Sequence, residues 1–280
     1  MIRKQIVGSL LATLMMVPLS GVVTADTDSD TQSWDYELSL YAWAKSVKGT
    51  SGDADIDLDF WDDIVDMLEG AFMTSFNARW GLFSGFATFE YNKIGDDARL
   101  NRTIDYTIPG TGVTVPIEAR SKIEFEEEQY NAEIGLGYDV YSTQRTMWDL
   151  IAGLKWYKND TSIELRDIKF QGPGGGDLPS IKGRKIRESD DWWHPFLGMR
   201  FSAQLSDHWR LRGRGDYGRR DSDNESWTLE AMFDYRLTDW GALEFGYRYR
   251  EIDYDNDSSS HPYSYDVTEK GPIIGFIFHF

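Results

Sequence analysis

Residues 240–250, WGALEFGYRYR, decide the fold class expected of this chain of 280 residues. Apolar or aromatic side chains alternate there with glycine or charged side chains, and the apolar set is Leu243, Phe245, Tyr247 and Tyr249. Successive side chains of a β-strand point to opposite faces, whereas a helix scatters such a set around its circumference. The stretch therefore predicts a strand with one apolar and one polar face.

Two other stretches repeat this period of two. In residues 224–237, NESWTLEAMFDYRL, the apolar face consists of Trp227, Leu229, Ala231, Phe233, Tyr235 and Leu237. In residues 271–280, GPIIGFIFHF, one face consists of Ile274, Phe276, Phe278 and Phe280. The pattern indicates an all-β protein.

The connections distinguish a membrane barrel from a soluble sandwich, which also alternates. Short turns at 78–82, 139–147, 205–208 and 237–240 alternate with longer polar connections at 46–69, 94–122, 159–190, 218–225 and 255–266. Long loops confined to one end are typical of a transmembrane antiparallel up-and-down β-barrel. The ten predicted strands are 34–45, 70–79, 82–93, 123–138, 147–158, 191–204, 208–217, 224–237, 240–252 and 268–280. Eight or twelve strands remain alternatives, because a long loop can hide a hairpin.

Four tryptophans occupy equivalent positions beside the short turns: Trp80, Trp148, Trp209 and Trp240. Each stands at the start of the strand that leaves the turn. Core packing is one explanation, but an aromatic belt at a bilayer interface explains the repeated position better.

The N-terminal segment has the pattern of a secretory signal peptide. Arg3 and Lys4 precede an apolar run at 5–17, and small residues end at Ala25. We expect cleavage there, which leaves a short acidic tail at 26–33 and a barrel at 34–280. A membrane anchor is the alternative, although the apolar run is short for a spanning helix.

Composition excludes several classes of protein. Removing residues 1–25 takes away two positive charges and no negative ones, so the formal charge of −18 becomes −20. So acidic a chain is not expected to bind nucleic acid, which requires a basic surface. The chain has no cysteine, so an exported protein of this size lacks a disulfide framework. Its mean hydropathy is −0.49, and no segment after the signal peptide has the apolar length of a membrane helix.

Several motifs resemble those of bacterial outer-membrane β-barrel proteins. The stretches YELSLYAW (36–43), WGLF (80–83), WWHPFLGMRF (192–201), LEFGYRYREIDY (243–254) and GPIIGFIFHF (271–280) are similar to a widespread group of uncharacterised proteobacterial outer-membrane proteins. The resemblance spans most of residues 34–280. It implies residence in the outer membrane of a Gram-negative bacterium, among its lipids and lipopolysaccharide, and it supplies no activity.

The final strand resembles the C-terminal assembly signal of such barrels. Phe280 is the terminal aromatic residue, Phe278 is the second, and Gly275 lies three residues before Phe278. Ile273 departs from the pattern, since the family prefers a polar residue there, so the match is partial. The resemblance implies delivery by the barrel assembly machinery; it implies nothing about the oligomeric state.

Because side chains alternate between the two faces of a strand, the apolar positions fix which residues face lipid and which face the lumen. We call this assignment strand parity, and it predicts which charged side chains face the lumen. The predicted acids are Glu37, Glu90, Glu133, Asp139, Asp149, Asp216, Glu230, Asp234 and Glu244. The predicted bases are Arg79, Lys155, Arg200, Arg210, Arg212, Arg214, Arg236, Arg248 and Arg250. The interior is thus close to neutral, with most bases on the last five strands.

Three interpretations of this lumen compete. Its charges form a salt-bridge network in a plugged interior, line a water-filled pore, or form an arginine-lined path for anionic solutes. Barrels of eight to ten strands usually have interiors filled by side chains, which favours a narrow or plugged lumen. We therefore predict a non-enzymatic envelope protein that is either a structural barrel or a narrow passive pore, with a solute-selective porin as an alternative.

A hydrolase acting at the outer rim is the alternative from another class. Such an enzyme needs His, Asp, Glu or Ser within hydrogen-bond reach of one another. His194, after Asp190 and Asp191, and His261, after three serines, are the candidates. Polar loops collect these residue types by composition, and no motif of a known barrel hydrolase is present. We therefore predict no catalytic residue.

Residues 53–69, DADIDLDFWDDIVDMLE, form the first outer loop of this topology, and eight of these seventeen residues are acidic. The first part predicts an extended segment that projects Asp53, Asp55, Asp57 and Asp59 from one face. The pattern changes to that of a short helix from Trp61 onward. Clustered carboxylates suit a hard divalent cation, so a weak Ca²⁺ or Mg²⁺ site is possible; a solvated hairpin with a cap helix is the alternative. The EF-hand pattern fails, and we expect no other cofactor.

Overall fold

The computed structural model describes residues 33–51, 54–107, 114–166, 168–171, 177–256 and 263–280. The predicted signal peptide and nearly all of the acidic tail lie outside these residues. Numbered along the chain, the strands are β1 Trp34–Trp43, β2 Ser46–Ser51, β3 Ala54–Leu58, β4 Leu68–Trp80, β5 Phe83–Thr107, β6 Thr114–Ser142, β7 Thr146–Leu165, β8 Ile168–Gln171, β9 Asp177–Ile181, β10 Arg184–Gln204, β11 Trp209–Asp221, β12 Asn224–Thr238, β13 Gly241–Asp255 and β14 Ser264–His279.

Ten of these strands form a closed antiparallel barrel, which confirms the predicted fold class and strand number. The wall runs β1, β4, β5, β6, β7, β10, β11, β12, β13 and β14. Pairing of β1 with β14, from Glu37 opposite His279 to Trp43 opposite Ile273, closes it. Strand β2 continues along β14 in the same register and forms a hairpin with β3, while β8 and β9 form a small hairpin beside β6.

The two ends of the barrel differ. Tight connections at 81–82, 143–145, 205–208 and 239–240 lie at one end, here called the short-turn end, together with the start of β1 and the end of β14. Gly81 has φ +58° in the first of these turns, a left-handed conformation that glycine adopts without strain. The opposite end is called the long-loop end.

The prediction of long loops at 94–122, 159–190 and 218–225 is wrong in part, because strands extend into these ranges. Strands β5 and β6 are 25 and 29 residues long and pair from Phe83–Tyr138 to Thr107–Thr114. Only two residues separate β11 from β12. A strand crosses a bilayer in roughly 9–11 residues, so these strands project beyond it. Alternation disappears where both faces meet water, and sequence periodicity therefore missed the extensions.

The predicted helix of the first outer loop is present. One π-helical turn, Phe60–Ile64, continues into a short α-helix, α1, at Val65–Met67. The helix ends at Met67, and Leu68 begins β4. Neither described helix is long and apolar enough to span a membrane.

The outer face of the barrel is apolar, as strand parity predicts. Leu136, Leu197 and Ile274 are 73%, 66% and 66% exposed, although a soluble protein would bury such side chains. Trp80, Trp148, Trp209 and Trp240 are exposed beside the short turns. An apolar band with an aromatic girdle is the surface that a barrel presents to lipid.

Candidate functional site: the charged lumen

The lumen contains three levels of side chains. A cavity opens at the short-turn end, a layer of ion pairs crosses the middle, and an aromatic cluster fills the long-loop end. We call these levels the short-turn cavity, the middle layer and the aromatic plug.

The short-turn cavity has a volume of about 440 Å³. Seven arginines and five carboxylates are among its lining residues. The arginines are Arg79, Arg200, Arg210, Arg212, Arg214, Arg236 and Arg248, and the carboxylates are Asp35, Glu37, Asp149, Glu230 and Asp239. All seven arginines were predicted to face the lumen; Arg236 lies exposed at the mouth and forms no ion pair with any residue that the structure describes.

Asp149 on β7 holds two arginines of this cavity. Arg79 Nη2 lies 2.5 Å and Arg200 Nη2 lies 3.1 Å from its Oδ2. Arg200 also donates to Ser84 Oγ and Asn77 Oδ1, and its guanidinium lies 4.5 Å from the centre of the Phe86 ring. Arg200 and Asp149 are partners on adjacent strands, whereas the contacts of Arg79 with Asp149 and of Arg200 with Ser84 join strands that are not neighbours in the wall.

A second cluster lies around Asp234. Arg210 Nε and Arg212 Nε both lie 2.7 Å from its Oδ2. Arg210 Nη1 reaches Glu37 at 2.7 Å, and Arg212 Nη2 reaches Glu244 at 2.6 Å. Glu244 also accepts a hydrogen bond from Ser39. Each buried carboxylate is thus paired, as burial of a charge requires.

The middle layer begins with Arg214. Its Nη1 lies 2.7 Å from Glu133 and its Nε 2.7 Å from Asp216. Asp216 also pairs with Lys155, whose Nζ donates to Thr228 at 2.7 Å. Charges from β6, β7 and β11 therefore meet in one network, together with the Thr228 hydroxyl of β12.

Glu90 is the centre of the middle layer and is 2% exposed. It pairs with Arg248 and lies 2.9 Å from Arg250 Nη1, and Tyr41 donates to it at 3.0 Å. Arg248 also pairs with Glu230 at 2.6 Å. Strands β1, β5, β12 and β13 are connected here through the lumen.

Two charged members of the middle layer were missed by the sequence prediction. Glu269 lies 2.6 Å from Arg250 Nη2 and 2.5 Å from Lys45 Nζ, and both Glu269 and Lys45 are buried. Lys45 also donates to Gln129, which donates to Tyr265. Both missed residues share strand parity with known inward positions, Trp43 and Ile273, so parity was sufficient to find them.

The aromatic plug lies above the middle layer. The rings of Trp192 and Tyr254 stack with centroids 4.3 Å apart, and the ring of Tyr157 stacks on Trp192 at 5.5 Å. Buried Tyr265, Val267, Ile252 and Val47 complete the cluster, and Ile64 of the first-loop helix packs into it. Apolar side chains thus occupy the lumen at the long-loop end.

Three guanidinium nitrogens around the short-turn cavity are buried without a hydrogen-bond acceptor: Arg79 Nη1, Arg210 Nη2 and Arg214 Nη2. One acceptor, Asp149 Oδ1, is buried there without a donor. Unsatisfied buried polar atoms are uncommon and call for a physical explanation. Two further buried carboxylate oxygens also accept no hydrogen bond: Asp139 Oδ1, opposite Asp149 in the strand register, and Glu133 Oε1, beside Arg214.

His194 lies inside the barrel rather than at the outer rim, and its exposed fraction is 0%. Its Nε2 lies 2.7 Å from Ser226 Oγ and its Nδ1 lies 3.0 Å from Asn224 Oδ1. The connectivity Ser–His–Asn is that of a nucleophile, base and orienting group. However, Ser226 is 1% exposed and belongs to the lining of neither described cavity. The other candidate, His261, lies outside the described residues.

The acidic first loop uses its described aspartates for local contacts. Asp57 pairs with Lys48 at 3.1 Å, and both side chains are exposed. Asp59 caps the helix: its Oδ1 accepts from the amides of Trp61 at 2.9 Å and Asp62 at 3.3 Å. The Trp61 hydrogen bond is the main reason that the pKa of Asp59 is lowered.

The predicted cation site in this loop gains no geometric support. Among the residues that the structure describes, no group of three or more His, Asp or Glu side chains is arranged to hold a metal ion. Asp55 lies opposite Thr50 in the exposed hairpin, and Asp53 lies outside the described residues. Metal binding therefore stays a prediction.

The C-terminal strand packs closely against its neighbours. Phe278 stacks on Trp240 with centroids 6.3 Å apart, and Phe280 stacks on Tyr36 at 5.7 Å. A Cβ at Gly275 would stand 2.6 Å from Glu244 Oε1 and 2.7 Å from Leu40 O, so the position accepts glycine alone without displacement. Recognition of these residues by assembly machinery stays a prediction.

One family and several solved structures are similar to this chain. The family described as "Protein of unknown function, DUF481" matches residues 72–268. The outer-membrane protease OmpT from Escherichia coli has 14% identity and a TM-score of 0.49, covering 91% of this chain and 100% of that chain. Ail, the attachment invasion locus protein of Yersinia pestis, has 11% identity and a TM-score of 0.33, covering 89% and 100%. A Pseudomonas aeruginosa FadL homologue has 9% identity and a TM-score of 0.31, covering 88% and 90%.

At these identities and TM-scores, no activity of these structures transfers to this chain. No curated protein matches the sequence.

Proposed function

This chain belongs to the DUF481 family of proteins of unknown function, and from that premise we propose that it is a non-enzymatic outer-membrane barrel whose lumen is closed to solutes. We propose an orientation in which the short turns face the periplasm and the extended strands project from the cell surface. The apolar outer face and the aromatic residues beside the short turns support the membrane location.

The observation that carries the closed lumen is the contact of Glu90 with Arg248 and Arg250. These three side chains meet across the barrel, and Lys45 and Glu269 extend the layer. The aromatic plug lies directly above, with Trp192 and Tyr254 both buried. A solute that passed through would have to separate several buried ion pairs and displace stacked rings.

An arginine-lined path for anions is less well supported. The arginines of the short-turn cavity end at the middle layer, where Glu90, Glu133 and Glu230 alternate with Arg214 and Arg248. The gap between those side chains has a volume of only about 40 Å³. That is room for roughly one to a few water molecules.

The hydrolase alternative rests on His194, Ser226 and Asn224. A nucleophilic serine must meet its substrate, and Ser226 is buried between the middle layer and the aromatic plug. The three residues are better explained as a satisfied polar group inside the barrel, since His194 uses both ring nitrogens for hydrogen bonds. We therefore propose no catalytic role for them.

The test is the conductance of the purified full chain in planar lipid bilayers. We expect no conductance steps from the wild type, and steps only from a variant that opens both barriers, in which Glu90→Ala, Arg248→Ala and Arg250→Ala are combined with Trp192→Ala and Tyr254→Ala. A heat-dependent shift in gel mobility verifies that both preparations are folded barrels. Stable conductance steps from the folded wild type would refute the closed lumen.

A further inference from the structure

We propose that the short-turn cavity is a binding site for a compact molecule that carries a phosphate, sulfate or carboxylate group and enters from the periplasmic end. This inference goes beyond the closed barrel proposed above. A blind pocket at one end is compatible with a closed lumen and is not required by it.

The size of the cavity fits a small organic anion. Ligand sites commonly measure roughly 300–1,000 Å³, and this cavity measures about 440 Å³. It lies at the end where β1 begins and the short turns lie, so its mouth is not covered by the extended strands of the long-loop end. The middle layer forms its floor.

The lining offers more hydrogen-bond donors than the ion pairs use. Arg79 Nη1, Arg210 Nη2 and Arg214 Nη2 are buried without an acceptor, and Arg236 stands exposed at the mouth. These three nitrogens have almost no accessible surface, so a ligand oxygen reaches them only when the guanidinium groups turn toward the cavity, whereas Arg236 is accessible without such a change. Guanidinium groups are also the donors that best match the geometry of phosphate and carboxylate.

The arginines are held in place before any ligand arrives. Asp149 anchors Arg79 and Arg200, while Asp234 anchors Arg210. Such second contacts fix a guanidinium and reduce the entropy lost on binding. The same carboxylates weaken the positive potential, so selectivity is expected to arise from donor geometry as well as charge.

Binding of sodium pyrophosphate to the folded full chain in detergent, measured by calorimetry, tests the site. We expect saturable binding that weakens at least tenfold in the double variant Arg79→Gln, Arg236→Gln. Loss of Arg79 leaves Asp149 paired with Arg200, and Arg236 forms no ion pair with a described residue, so the fold is expected to survive.

The matched control carries a charge change of the same kind at the other end of the barrel. Arg219 and Arg220 are exposed at the end of β11, and the double variant Arg219→Gln, Arg220→Gln, which also removes two positive charges, is expected to leave pyrophosphate affinity unchanged. Absence of saturable binding to the wild type would overturn the proposal. So would an equal loss of affinity in Arg219→Gln, Arg220→Gln, which would indicate general charge attraction.

A second measurement does not depend on the arginine variants. Because the chain has no cysteine, Ser75→Cys places a single thiol in the cavity lining. An anionic methanethiosulfonate reagent is expected to modify it several-fold faster than a cationic one, and pyrophosphate is expected to slow that reaction. Faster modification by the cationic reagent, or no protection by pyrophosphate, would overturn the site.

The outcome is separable from that of the proposed function. A conducting wild type that binds pyrophosphate as expected would refute the closed lumen and retain the pocket. A wild-type barrel that shows no conductance steps and binds no pyrophosphate would retain the closed lumen and refute the pocket.

Discussion

Glu90 and Arg250 lie 160 residues apart in the chain, and their side chains meet inside the barrel at 2.9 Å. Glu90 belongs to β5 and Arg250 to β13, and strands β4, β1 and β14 lie between them in the wall. The contact therefore crosses the lumen instead of following the sheet. It links the two halves of the chain through their charges.

Replacing Glu90 with Ala is expected to destabilise the barrel by about 3–5 kcal/mol, because it leaves two buried guanidinium groups without their shared carboxylate. The measurement is urea unfolding of the refolded chain in detergent, followed by tryptophan fluorescence. Glu90→Gln keeps the shape and one acceptor, and it is expected to fall between the wild type and Glu90→Ala.

Asp57→Ala is the control for this prediction, since it also removes a carboxylate from an ion pair. The Asp57 and Lys48 side chains are exposed, and exposed pairs contribute about 0–1 kcal/mol. If the two alanine variants lost equal stability, the middle layer would not be the structural centre of the lumen.

The membrane-spanning part of the fold was predictable because lipid and the lumen impose opposite requirements on alternate residues. Leu243 and Phe245 were assigned outward and Glu244 inward from sequence, and their exposures follow that pattern. The strand extensions beyond 93 and before 123 were not predictable. There both faces meet water, so apolar and polar side chains do not alternate along the strand.

The charge distribution in the lumen was predictable in part. The sequence predicted that most lumen arginines lie on the last five strands. In the structure, two of these arginines pair with carboxylates on the first five predicted strands: Arg210 with Glu37, and Arg250 with Glu90. Parity identifies inward positions but gives no information about which strands face each other across the lumen. The prediction that His194 lies at the rim was wrong for a related reason. The depth of a residue in the barrel depends on strand tilt and register, which the pattern of a single sequence does not encode.

Gly218→Ala is expected to destabilise the barrel by about 1–3 kcal/mol, as overpacking commonly does. A Cβ at Gly218 would stand 2.7 Å from His194 Nε2, so the ring would have to leave its hydrogen bond to Ser226. Thermal unfolding measures the effect. Gly85→Ala is the control, because the nearest atom there is a leucine methyl group at 3.9 Å. Similar losses in both variants would show that general strand propensity, and not the His194 contact, is responsible.

Ser226 is expected to remain unlabelled by a fluorophosphonate probe in the folded barrel. The Ser226–His194 distance of 2.7 Å suits proton transfer, but a probe needs space at Oγ, and Ser226 is buried. Mass spectrometry of the treated protein checks this, with a soluble serine hydrolase as the positive control. Stoichiometric labelling that disappears in Ser226→Ala would revive the hydrolase alternative.

The cap of the first-loop helix is expected to weaken at acidic pH. Hydrogen bonds from the amides of Trp61 and Asp62 lower the pKa of Asp59 below its usual value of 3.8. A group whose folded pKa is lowered stabilises the fold above its unfolded pKa and loses that contribution as pH falls through the folded value. The cap is therefore intact at neutral pH and is lost below about pH 3.8.

Hydrogen exchange of the Trp61 amide, corrected for its intrinsic pH dependence, measures this loss. Asp59→Ala is expected to exchange faster at every pH, since the acceptor is gone. Asp59→Asn retains an acceptor that caps helices well and is expected to show protection without the acidic transition. An unchanged transition in Asp59→Asn would assign it to another carboxylate, with Asp63 the first candidate because it accepts from the Asp59 amide at 2.9 Å.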